Sequence, residues 1–141
     1  MTSRRNRLFA AAVLVMVGVY LFWPQQVITC AAFAGFGAEV QGDRCIVLGD
    51  LTLEGAVDSL PANLVVKGDL TINGTYIDRL PIGLIVEGDL NLYKTSIGAL
   101  PENLVVAGDF TNYLGFGSPD LWCAEIPASV VIHGQNLGCS P

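Results

Sequence analysis

A twenty-residue repeat governs what this chain can fold into. Gly-Asp-Leu or Gly-Asp-Phe begins at Gly49, Gly68, Gly88 and Gly108, at intervals of 19, 20 and 20 residues, while Leu-Pro begins at Leu60, Leu80 and Leu100. Ile126-Pro127 is a further, displaced copy. Residues 60–79 (LPANLVVKGDLTINGTYIDR) and 80–99 (LPIGLIVEGDLNLYKTSIGA) obey one pattern, LPxxLxVxGDLxLxxTxIxx, with Ile accepted at one Leu position. Within a unit Leu64, Val66, Gly68, Leu70 and Ile72 fall two apart, the period of a strand with one face buried. Gly68 carries no side chain, so the backbone can bend there or approach a neighbour closely. Pro81 sets the other corner, because proline fixes φ and donates no hydrogen bond to a sheet.

One such coil buries too little apolar surface to offset the entropy of ordering its backbone. Stacking supplies the difference, each coil covering the apolar row of its neighbours. The expected fold is therefore mainly β, a short parallel β-solenoid of about four to five coils. The regular coils occupy residues 45–112, and 113–141 form an atypical last coil and C-terminal cap. In the short first interval Val57 takes the role of Ile77, and an insertion at 114–120 interrupts the fourth coil.

The run Leu70-x-Ile72-x-x-Thr75-x-Ile77-x-x-Leu80-Pro81 resembles the core of a leucine-rich repeat, over about residues 45–112. Thr75 and Thr95 stand where that family usually carries Asn, and the stretch from Leu64 to Leu70 is spaced by twos throughout. These differences favour a compact, all-strand, leucine-rich-repeat-like coil over a horseshoe backed by helices.

Ahead of the repeats, Arg4, Arg5 and Arg7 precede an apolar run from Leu8 to Trp23, and no acidic residue occurs before Glu39. Sixteen residues of helix span about 24 Å at ~1.5 Å per residue, short for a ~30 Å hydrocarbon core unless the flanks assist. Tyr20 and Trp23 suit the interface at the far end, and positive charge marks the cytoplasmic side. The expectation is a cytoplasmic N-terminus at 1–7, a single transmembrane helix at 8–24, and a linker with N-terminal cap at 25–44. The protein is then a single-pass protein of a bacterial inner membrane with its C-terminal domain exported. A cleaved signal peptide is the alternative, since Ala32-Phe33-Ala34 has the small-x-small form that a peptidase reads.

Four cysteines flank the repeats. Cys45 occupies the place of Leu64 and Cys123 that of Ile77, so both are expected to face inward in the end coils. The simplest pairing joins Cys30 to Cys45 and Cys123 to Cys139, one of three connectivities, and suits an oxidising compartment. A thiolate metal site is the lesser alternative, with no CxxC and His133 the only imidazole.

Stacking brings Asp50, Asp69, Asp89 and Asp109 into one column with rungs ~4.8 Å apart. A divalent cation such as calcium would relieve their repulsion. The plainer reading, that each carboxylate bonds backbone amides at the bend, is preferred. Thr75 and Thr95 form a shorter column of hydroxyls bonded to turn backbone. No catalytic set emerges around His133, which reads as an exposed strand residue, and no cofactor or small-molecule substrate is expected. Nucleic acid is excluded as a partner by 13 acidic against 7 basic residues and a net charge of −6. Removing the three leading arginines leaves −9 for the rest.

The column most suggestive of function points outward: Ile46, Val65, Ile85, Val105 and, in the displaced copy, Val131. Such an apolar stripe usually marks an interface, unless a terminal segment or the insertion covers it. Tyr93, Tyr113, Phe116 and Trp122 lie near the later coils and are residue types that anchor interfaces. The expected function is protein binding or scaffolding through this strand face, as a membrane-anchored module without enzymatic activity, holding another envelope protein. The alternatives are self-association into a structural array and a calcium-binding repeat module.

Overall fold

A computed structural model describes residues 29–113 and 121–139. A 3-10 helix at Cys30–Phe36 leads into eleven short strands: β1 (Ala38–Gln41), β2 (Arg44–Val47), β3 (Leu51–Glu54), β4 (Leu64–Val66), β5 (Leu70–Asn73), β6 (Ile85–Val86), β7 (Leu90–Tyr93), β8 (Val105–Val106), β9 (Phe110–Tyr113), β10 (Val131–Ile132) and β11 (Asn136–Leu137). A second 3-10 helix, Cys123–Glu125, precedes β10. Two sheets result, ordered β1-β2-β4-β6-β8-β10 and β3-β5-β7-β9-β11. Every pairing is parallel except that of β1 with β2.

The repeat dictates this register. Leu51, Leu70, Leu90 and Phe110 pair in sequence across the second sheet, and Ile46, Val65, Ile85, Val105 and Val131 across the first. Successive residues alternate faces and residues two apart share one, so Leu64, Val66, Leu70 and Ile72 point inward and are fully buried, as are Leu84, Val86, Leu90 and Leu92 one rung on. Ile77, Ile97, Leu80 and Leu100 close the core on its third side. At the corner after each Leu-Pro the chain turns through a left-handed residue, Asn63 (φ 55°), Gly83 (φ 77°) or Asn103 (φ 61°). Asn and Gly tolerate that conformation at the least steric cost. The hydroxyls of Thr75 and Thr95 accept the amide N–H of Ile77 and Ile97, at 3.3 and 3.5 Å, as expected of turn-bonded threonines.

The structure corrects three expectations. The solenoid makes about three turns, not four to five coils. The end copies depart from the coil: antiparallel β1 closes the first sheet before β2, and β11, the last strand of the second sheet, has two residues where β3, β5, β7 and β9 have four. No helix among the described residues is long and apolar enough to cross a membrane. Their two helices are 3-10 segments of seven and three residues, and at ~2.0 Å per residue the longer reaches only about half of a ~30 Å core. The 8–24 segment assigned to the membrane, like 1–7, lies outside the described residues. Finally, Cys123 is exposed rather than inward, because it opens a 3-10 helix, and Leu121 is buried two residues earlier.

The disulfides pair Cys30 with Cys45 and Cys123 with Cys139. One ties the leading 3-10 helix to β2, the other ties the last turn together. Two disulfides suit an oxidising, extracytoplasmic location.

Candidate functional site: the stacked columns

Each Gly-Asp bend joins a strand of the first sheet to a strand of the second, and hydrogen bonds pass through it from coil to coil. The glycine N–H donates to the glycine carbonyl of the coil before, from Gly68 to Gly49, Gly88 to Gly68, Gly108 to Gly88 and Gly134 to Gly108, at 2.9–3.2 Å. The aspartate N–H donates to the carboxylate before it: Asp69 to Asp50 Oδ1 (2.8 Å), Asp89 to Asp69 Oδ1 (2.7 Å), Asp109 to Asp89 Oδ1 (2.8 Å) and Gln135 to Asp109 Oδ1 (2.7 Å). The carboxylates thus bond backbone amides, as the plainer reading held, but the amide belongs to the next coil.

This arrangement explains why glycine and aspartate occur together. A Cβ on Gly68, Gly88, Gly108 or Gly134 would overlap the Oδ1 of Asp50, Asp69, Asp89 or Asp109 respectively. Glycine leaves the space that the preceding carboxylate fills. Gly134-Gln135 is consequently a fifth copy of the dipeptide, which the sequence pattern hides because it follows Gly108 by 26 residues and carries Gln for Asp. The stacked spacing and the bonds to Gly108 and Asp109 identify it. Among the described residues no group of three or more His, Cys, Asp or Glu side chains is placed to hold a metal ion.

The outward column of the first sheet is graded along its length. Ile46 and Val65 are buried, at 7% and 3% exposure, Ile85 and Val105 are half-buried, and Val131 is 41% exposed. The surface open to a partner is therefore its C-terminal part. Beside it runs a second outward column, Leu48, Lys67, Glu87, Ala107 and His133, all exposed, in which Lys67 and Glu87 form an ion pair of 2.6 Å.

No protein-family model, curated protein or solved structure matches the chain. The likeness to leucine-rich repeats is one of pattern, and the parallel solenoid stands as the fold.

The expected aromatic anchors separate. Tyr93 and Tyr113 are on the other sheet, paired across β7 and β9 with rings stacked at 4.8 Å, and Tyr113 is exposed. Trp122 is exposed next to the Cys123–Cys139 disulfide. Phe116 lies outside the described residues. Register sets the two columns on different sheets: Val105 belongs to β8 and Tyr113 to β9.

Proposed function

We propose that this is an exported binding module that holds another protein on the outer face of its first sheet. The observation carrying the proposal is the in-register column Ile85, Val105 and Val131, whose exposure rises toward the C-terminal end. β-branched side chains at one position of successive rungs make a flat, rigid apolar strip, and a strip fixed by the backbone loses little side-chain entropy on binding. Lys67, Glu87 and His133 alongside supply a polar rim. The disulfides support an extracytoplasmic setting for the encounter, which we place in a bacterial envelope.

Self-association into an array is the less favoured reading. Antiparallel β1 occupies the edge of β2 on which a following molecule would stack, and Gln135 ends the aspartate column at the opposite end. A calcium-dependent role is disfavoured by the amides that the carboxylates already accept.

A photoreactive residue at Val105, compared with one at Thr71 on the other sheet, tests the proposal in cells. Covalent adducts to another protein from position 105 and not from 71 are the expected result. Equal labelling from both positions refutes the assignment of the face, and adducts only to the chain itself favour the array.

A further inference from the structure

The first Gly-Asp bend differs from the others in one respect. At Gly68, Gly88, Gly108 and Gly134 the space beside the glycine is filled by a carboxylate, whereas among the described residues a Cβ at Gly49 would meet nothing within 4 Å. The slot is built but open. The same end of the second sheet is formed by β3 as its terminal strand, with Gly49, Asp50, Thr52 and Glu54 all exposed. On the first sheet, by contrast, β1 pairs with β2 along its whole length, and the leading 3-10 helix packs against β1.

We infer that the slot beside Gly49 and the edge of β3 form a strand-docking site for a partner protein's extended segment of the form Gly-Asp-apolar-polar-apolar. The occupant's chemistry is written in the four filled slots. In each, one coil supplies a glycine carbonyl to a glycine N–H, a carboxylate to the N–H of the following aspartate (Gln135 in the last slot), and a leucine or phenylalanine N–H to that residue's carbonyl, as in Leu51 to Asp69 and Leu70 to Asp89, both 2.8 Å. A docked segment running parallel to β3 would offer the same three groups to Gly49 N–H, Asp50 N–H and Asp50 C=O. Main-chain pairing gives such strand addition its affinity, and the side chain entering a pocket gives its specificity. Neither residues 1–28, which contain no Asp or Glu, nor the last rung of a second copy, which carries Gln135, offers that carboxylate. The site is separate from the apolar column of the first sheet and does not depend on it.

The test uses the full chain and a fluorescent peptide reproducing residues 65–76, whose Gly68-Asp69-Leu70-Thr71-Ile72 run supplies the pattern. Saturable binding is expected, weakened roughly tenfold when the peptide carries Asp69→Ala, the loss of one charge-assisted hydrogen bond. In the protein, Gly49→Val fills the slot from a position with room for a side chain, so it should leave the thermal midpoint unchanged and abolish binding. Hydrogen exchange on the unmodified protein provides a readout without substitution, with slowing by the peptide confined to the amides of residues 49–54. Absence of saturable binding, equal affinity of the two peptides, undiminished binding by Gly49→Val, or slowing elsewhere would each overturn the inference.

Discussion

Gly88→Ala tests the coupling of glycine to the preceding aspartate. The new methyl overlaps Asp69 Oδ1 and lies 2.8 Å from both the carbonyl carbon and oxygen of Gly68. The carboxylate must leave, forfeiting its 2.7 Å bond from the Asp89 N–H. A hydrogen bond to a charged group contributes ~1.5–3 kcal/mol, and the lower end applies to this exposed one. The backbone contacts remain after the carboxylate has moved, and forcing a methyl into a packed site costs ~1–3 kcal/mol. The two together are about 3 kcal/mol. With m near 2 kcal/mol/M, the urea midpoint should fall by about 1.5 M under non-reducing conditions.

Gly49→Ala is the internal control, since the same substitution in the same dipeptide meets open space. It should change stability by less than ~0.5 kcal/mol, or raise it slightly by restricting the unfolded chain. A double variant, Asp69→Ala with Gly88→Ala, should cost less than the sum of the single changes by about 1.5 kcal/mol, because each single change forfeits the bond from the Asp89 N–H and the double variant loses it only once. Equal midpoint shifts for Gly49→Ala and Gly88→Ala would refute the reasoning. Strict additivity in the double variant would show that the backbone contact alone sets the cost.

Further outcomes follow from the same geometry. Ile85→Lys with Val105→Lys should retain the circular dichroism and midpoint of the parent while abolishing the adducts from a probe at Val131, whereas Val65→Lys, at a position only 3% exposed, should cost on the order of 2 kcal/mol or more in urea unfolding. Thr75→Val removes the hydroxyl that accepts the Ile77 N–H, and the stranded buried donor should lower stability by ~1–3 kcal/mol, with Thr75→Ser retaining most of it. Under graded dithiothreitol, alkylation and mass spectrometry should find Cys123 and Cys139 labelled before Cys30 and Cys45, because Cys123 is exposed and Cys45 is 3% exposed. Simultaneous labelling of all four would contradict that order.

The fold was legible because stacking converts sequence period into spatial contact. Leu64, Val66, Leu70 and Ile72 could be assigned inward from their spacing alone, and the Cys30–Cys45 pair from the place of Cys45 in the coil. Burial of Ile46 and Val65 was not legible, since alternation gives the side of the sheet a residue takes, not what lies over it. Cys123 was misplaced because counting three residues back from Ile126, as Ile77 stands three before Leu80, assumes an extended approach to that corner, and a 3-10 helix at Cys123–Glu125 stands there instead.

The aspartate column was legible in kind but not in partner, and the difference bears on what the ends of the solenoid do. Read along the chain, Gly-Asp is a dipeptide at a bend. In space the functional pair is diagonal, the aspartate of one coil with the glycine of the next, so every interior coil is both donor and recipient of a carboxylate. The first coil keeps an unfilled glycine slot at Gly49 and the last presents Gln135 in place of an aspartate. Head and tail of one molecule are therefore chemically mismatched, although their strands share a direction. A stack of identical rungs would otherwise invite its own copies to continue it. Here the carboxylate is withheld at the tail, which leaves the head selective for a segment that brings one.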